Sequence, residues 1–105
     1  MNPRPGEVWL ADLGLVAKTR PVIIVSREDA DPPRALVVYV PASTQNRDSR
    51  YEVPLGKLPF LSEISFANAQ GIGSLPFTRL ERKFGQLPAT LLADIKKALA
   101  FTFDL

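Results

Sequence analysis

Cysteine and histidine are both missing from the 105 residues of the chain. The first absence excludes disulfide scaffolds, zinc–cysteine sites and cysteine nucleophiles. The second excludes Ser-His-Asp triads, histidine-ligated zinc and the paired-histidine route to RNA cleavage. Any catalysis then has to run on Arg, Lys, Ser, Thr, Tyr, Asp or Glu, and neither a metal site nor a cofactor is expected. Long apolar runs are missing too. The longest, Val22-Ile23-Ile24-Val25 and Ala35 to Val40, are too short to cross a bilayer. The opening Met1-Asn2-Pro3-Arg4-Pro5-Gly6 has no signal-peptide apolar region. These absences lead to the expectation of a soluble, cytoplasmic protein with no membrane partner. There is also little excess of one charge sign. Thirteen basic against eleven acidic residues leave +2, which alone does not argue for nucleic acid.

Turning to what is present, 105 residues suit a single domain spanning 1–105. Folding a chain of this size buries roughly 65% of its unfolded surface, enough for a real core. Hydrophobic content of 46% and charged content of 23% fit a globular domain rather than disorder. Ten prolines punctuate the chain and favour short strands joined by turns. The spacing predicts strands at Gly6 to Leu13, Arg20 to Arg27, Ala35 to Val40, Tyr51 to Leu55 and Ile64 to Ala69. The β-branched run of the second strand predicts burial on both faces. The polar, proline-containing Glu28 to Arg34 reads as a hairpin connection, pairing strands two and three antiparallel. Gly71-Ile72-Gly73 and Pro76 mark turns, and Arg79 to Leu87 holds a short helical turn and a last strand. Pro88 to Phe101 is the one convincing helix, with Pro88 at its first position. Leu91, Leu92, Ile95, Leu99 and Phe103 recur on its apolar face. The sum is a mainly β chain with a little α: a small antiparallel β-barrel or roll with a C-terminal helix.

Two polar segments could carry chemistry. In Lys18-Thr19-Arg20-Pro21, two bases and a hydroxyl stand where the chain enters a buried strand, and Pro21 holds Arg20 extended. The guanidinium fork matches phosphate oxygens; equally, an edge arginine can simply pair with a carboxylate. The second segment, Pro41 to Arg50, directly follows the third strand. It contains Ser43, Thr44, Gln45, Asn46, Arg47, Ser49 and Arg50. Amides read base edges while hydroxyls and arginines hold phosphates, a composition suited to single-stranded RNA. The same residue types also satisfy their own backbone in polar loops. A hairpin of strands two and three brings the segments together, placing Arg20 near Ser43 and Thr44 at one rim. Arg79-Leu80-Glu81-Arg82-Lys83 adds a local basic excess that extends an RNA path or is a solvated face.

Four stretches in this order and spacing resemble the MazF/PemK-type toxins of bacterial toxin–antitoxin systems. They are Gly6 to Leu13 (GEVWLADL), Lys18 to Ser26 (KTRPVIIVS), Val40 to Asn46 (VPASTQN) and Tyr51 to Leu55 (YEVPL). Gln70, Leu87-Pro88 and the final helix extend the match over essentially the whole chain. The resemblance implies an SH3-like barrel of the MazF/CcdB/Kid-like toxin type, assembled as a homodimer. It implies a metal-independent endoribonuclease that cuts single-stranded RNA, mostly mRNA, at short sequences, and so inhibits translation and growth. Arg20 falls on the catalytic arginine, and Ser43 on a position usually occupied by threonine. Lys18, Thr19, Thr44, Gln45, Asn46, Arg47, Arg50 and Gln70 are the expected RNA-binding residues. The loop before Arg20, Gly14-Leu15-Val16-Ala17-Lys18-Thr19, is shorter than in many members.

The expected chemistry is attack of the RNA 2′-hydroxyl on the adjacent phosphorus, giving 2′,3′-cyclic phosphate and 5′-hydroxyl ends. Arg20 would stabilise the charge that develops on the phosphate oxygens. A cognate MazE-like antitoxin with an acidic, partly disordered tail is the expected protein partner, covering the Arg20–Ser43 rim. Two other readings stay open. One is a gyrase inhibitor like the CcdB toxins, which act through a Trp-containing C-terminus, whereas this chain ends Phe101-Thr102-Phe103-Asp104-Leu105. The other is a non-catalytic SH3-like binding module.

Overall fold

The computed structural model describes residues 2–14, 16 and 18–105. Leu15 and Ala17 of the short loop before Arg20 lie outside the described residues, as does Met1. Glycine 6 opens the first strand because its φ of +88° suits a residue without Cβ. The strands that follow are β1 (Glu7–Asp12), β2 (Thr19–Ile24), β3 (Leu36–Ser43), β4 (Glu52–Gly56) and β5 (Ser65–Asn68). A 3-10 turn at Ala69–Gly71 leads to β6 (Gly73–Pro76). A second at Phe77–Arg79 leads to β7 (Leu80–Gln86), and α1 (Ala89–Thr102) closes the chain.

Among the described residues the strands form one antiparallel sheet in the order β4-β5-β3-β2-β1-β7, with β6 paired to β3 off this path. Two cores follow from its two faces. Strands β1, β2, β3, β6 and β7 curl around Ala11, Val22, Ile24, Val37, Leu75 and Leu80, with Trp9 and Tyr39 packed against them. The opposite face carries Val8, Ile23, Val40, Ala42, Val53 and Ala67, and α1 covers it through Ile95 and Ala98. Val22, Ile23 and Ile24 are all fully buried, so β2 is covered on both faces as its β-branched run predicts. Among the described residues no ladder joins β6 to β7, so the barrel-like roll has a seam between them.

Most predicted elements are present, with four shifts. β2 stops at Ile24 rather than Arg27, because Val25 and Ser26 both donate to the Val38 carbonyl instead of continuing the ladder. β3 runs on through Pro41 to Ser43, since its far end pairs with β5 (Ala42↔Ala67, Ser43↔Phe66). Gly73 and Pro76, read as turn residues, bound a strand instead. β6 lies along β3 with Tyr39 opposite Gly73, where a Cβ would sit 2.9 Å from the Tyr39 hydroxyl. Glycine thus marks a close approach inside a strand. Finally, Pro88 is the N-cap of α1 rather than its first residue. Phe103, at the C-cap, is 54% exposed, and Ala98 takes the buried place expected for it.

Candidate active site

The β2–β3 hairpin builds the site. Its ladder pairs Ile24 with Tyr39, Ile23 with Val40 and Val22 with Pro41. The ladder ends there, and Arg20 and Ser43 each lie two residues beyond it. Side chains alternate along a strand, so Arg20 shares the face of Val22 and Ile24, and Ser43 shares that of Val37 and Tyr39. Both therefore belong to the same side of the sheet, at the open end of the roll. Beyond Pro41 the two strands part, because Ala42 and Ser43 turn to β5 while Arg20 stays paired with Ala11 of β1. Arg20 is exposed at this mouth and Ser43 is half-buried. The two polar segments lie at the same end of the β2–β3 hairpin, whose paired register ends at Val22↔Pro41.

Lys18 and Thr19 flank Arg20 on the same rim, both exposed. Lys18 takes a left-handed conformation with φ of 56°, its N–H donating to the Gly14 carbonyl and its own carbonyl accepting from Leu13 N–H. Thr19 pairs with Asp12 at the end of β1.

The segment from Thr44 to Arg50 is exposed and internally hydrogen-bonded. The Ser43 hydroxyl accepts from Gln45 N–H at 3.0 Å. The Arg47 guanidinium donates to the Gln45 side-chain oxygen Oε1 at 3.1 Å, while Asn46 and Asp48 exchange two bonds. The residue that organises the loop is Glu52, which drew no role from sequence reading. Its carboxylate accepts the N–H groups of Arg47 and Ser49 and the Ser49 hydroxyl. The Ser49 hydroxyl bond chiefly, with the backbone donors and the Arg47 charge, holds its pKa below the usual value. A carboxylate directly after a hydroxyl- and amide-rich loop is the signal that could have found it. The alternative weighed from composition, a polar loop satisfying its own backbone, thus describes the geometry at rest and leaves the side chains of Thr44, Gln45 and Arg47 on the surface.

Arg50 stands apart from the Arg20 rim. Its guanidinium lies 4.0 Å from the centroid of the Phe101 ring on α1, and Tyr51 meets the same ring at 5.2 Å. Gln70 is exposed in the turn after β5, where its N–H donates to Asn68 Oδ1 at 3.1 Å. Among the described residues no three acidic side chains gather in a way that could hold a metal ion. Among the described residues no helix is long and apolar enough to cross a membrane.

A family model described as PemK-like, MazF-like toxin of type II toxin–antitoxin system matches residues 4–103. This chain belongs to that family. Endoribonuclease MazF3 of Mycobacterium tuberculosis (strain CDC 1551 / Oshkosh) is 31% identical over 88 residues, covering 84% of this chain and 85% of the relative. Among solved structures, an endoribonuclease in complex with its cognate antitoxin from mycobacterial species is 29% identical with a TM-score of 0.85. That match covers 98% of this chain and 96% of the other. The Mycobacterium tuberculosis toxin MazF-mt6 is also 29% identical, with a TM-score of 0.83 over 94% of this chain and 97% of that one. The mainly β roll with one C-terminal helix is thus the fold of MazF toxins, as the sequence resemblance implied.

Proposed function

We infer that this chain is the toxin of a toxin–antitoxin pair and that it acts as an endoribonuclease on single-stranded RNA. The observation that supports this reading is the family match over residues 4–103, with Arg20 and Ser43 each two residues beyond the last pair of the β2–β3 ladder, Val22↔Pro41. Arg20 donates two N–H groups to the non-bridging oxygens of the scissile phosphate, and the Ser43 hydroxyl helps hold the same group. The 2′-oxygen bonds to phosphorus as the P–O5′ bond breaks. The 2′-hydroxyl loses its proton and O5′ gains one, leaving 2′,3′-cyclic phosphate and 5′-hydroxyl ends. Arginine remains protonated, so its contribution is mainly electrostatic stabilisation of the transition state. No step requires a metal ion. Lys18 and Thr19 on one side, and Thr44, Gln45, Asn46 and Arg47 on the other, form the RNA-contacting lips. Gln70 and Arg50 extend the path towards α1.

A homodimer doubles this groove, and a MazE-like antitoxin with an acidic tail is the fitting inhibitor of so basic a rim. Action on mRNA places the protein in the cytoplasm. Family membership and the arginine–hydroxyl mouth favour the nuclease over a CcdB-like gyrase inhibitor or a non-catalytic SH3-like module. Incubation of the purified protein with a long single-stranded RNA, with and without EDTA, tests the reading. Cleavage to cyclic-phosphate ends at recurring short sequences, unaffected by EDTA, is the expected outcome. Intact RNA would overturn it.

A further inference from the structure

The seam between β6 and β7 contains a cavity of about 190 Å³. Its walls come from the end of β1 (Asp12, Leu13), from Tyr39 on β3, from Ser74 and Pro76 on β6, and from Arg79 just before β7. It lies at the end of the β1–β2 ladder that carries the proposed catalytic arginine, since Asp12 pairs with Thr19 and Ala11 with Arg20. One residue of strand, about 3.4 Å, separates the Asp12 backbone from the Ala11–Arg20 pair. Of its lining residues only Arg79 belongs to a polar stretch singled out in the sequence, the basic Arg79–Lys83 run.

Its chemistry is that of a base-edge reader. In a lining that is otherwise mostly polar, Leu13, Pro76 and the Tyr39 ring supply a small apolar surface, and the ring is the group against which an unstacked base packs. At its rim the Asp12 Oδ1 and an Arg79 guanidinium nitrogen lie 3.8 Å apart, and both side chains are 48% exposed. At that separation the two groups attract without hydrogen-bonding each other. Gly14 N–H donates to Asp12 Oδ1 at 2.9 Å and fixes the carboxylate. A fixed carboxylate beside a guanidinium presents acceptors next to donors. Among the four bases only guanine offers two adjacent donors, N1–H and the N2 amine, to a carboxylate. Its O6 and N7 acceptors are those that arginine takes in bidentate fashion.

We propose that this cavity is a guanine subsite next to the scissile phosphate, with Asp12 accepting from N1–H and N2–H and Arg79 donating to O6 and N7. The proposal rests on the ribonuclease reading and adds to it a preference for guanine at one position of the cleaved sequence.

The test uses the full-length Arg20→Ala protein and fluorescently labelled copies of the mapped cleavage site, with each guanine in turn replaced by inosine. Inosine lacks only the 2-amine. Loss of one charge-assisted hydrogen bond is expected to weaken binding about tenfold at a single position. In Asp12→Asn, which keeps an acceptor for Gly14 N–H, that discrimination disappears. In Arg79→Ala, guanine and inosine RNAs weaken together, because both bases carry O6 and N7. A cleavage site without guanine, equal binding of every inosine copy, or an Asp12→Asn protein that still discriminates overturns the subsite while leaving the ribonuclease standing. Failure of the wild-type protein to bind or cut any RNA overturns both.

Discussion

Lys83 Nζ lies 2.8 Å from Glu7 Oε2, joining the last strand to the first through a carboxylate that is almost wholly buried. The other oxygen of Glu7 accepts from Arg4 N–H and from the Trp9 indole N–H, both at 3.0 Å. Removing the carboxylate strands these donors in partly buried surroundings. Glu7→Ala is expected to cost about 2–3 kcal/mol, less than a fully buried pair because Lys83 is about half exposed. Thermal unfolding checks this, with Tm falling by roughly 10 °C or more.

The same carboxylate makes stability depend on acid. Burial raises the pKa of Glu7, but the hydrogen bonds from Lys83, Arg4 and Trp9, with the Lys83 charge, outweigh it and leave the value below 4.5. A carboxylate whose folded pKa is depressed stabilises the fold fully above its unfolded pKa. That contribution fades as pH falls through the folded value. Wild type and Glu7→Gln, melted in parallel from about pH 7 down to about pH 3, are therefore expected to differ most at neutral pH. Their curves should converge below the 4.5 reference value. A gap that widens in acid contradicts this.

Arg20 is exposed, so Arg20→Ala is expected to spare the fold while lowering cleavage at least about 10²–10³-fold, as for loss of a transition-state donor. Ser43→Ala should lower the rate as well, whereas Ser43→Thr, which keeps the hydroxyl, should equal or exceed wild type. Single-turnover cleavage alongside circular dichroism separates lost chemistry from lost structure.

Glu52 acts on the loop rather than on RNA. Glu52→Ala releases the Arg47 and Ser49 N–H groups and lets the Thr44–Arg50 lip wander. KM is expected to rise several-fold with kcat nearly unchanged, since uniform binding is what suffers. An equal loss in kcat would place Glu52 in the chemistry itself.

Gly85 of β7 faces Phe60 so closely that a Cβ would lie 2.4 Å from the ring. Gly85→Ala forces the aromatic ring or the strand to move, at a cost of about 1–3 kcal/mol. Urea titration should show a lower midpoint with an unchanged slope.

Strong local patterns made the hairpin legible in the sequence. The Val22–Val25 run, the polar Glu28–Arg34 tip and the Ala35–Val40 run dictate two antiparallel strands, with Arg20 and Ser43 at the same end of the hairpin. What escaped sequence reading depends on partners distant in the chain. β6 hides behind Gly73 and Pro76, and only the Tyr39 side chain explains why glycine belongs in that strand. Glu7 looks like an ordinary polar residue of an edge until Lys83 arrives from β7. The Asp12–Arg79 cavity combines β1, β3, β6 and the turn before β7, so the basic Arg79–Lys83 run points to only one of its walls. Arg50 reads as one more loop cation, yet an α1 ring half the chain away holds it.

The β2–β3 register keeps Arg20 and Ser43 at one end of the hairpin, and this makes the other end available for experiment. The Glu28–Arg34 tip lies beyond Ile24 and Leu36, some 15–25 Å of strand away from the rim. Extending a flexible loop costs only about 0.6 kcal/mol per doubling of its length. An affinity tag or fluorophore inserted between Asp29 and Pro33 would therefore give a labelled protein with its mouth undisturbed. RNA and antitoxin binding could then be followed on the same molecule.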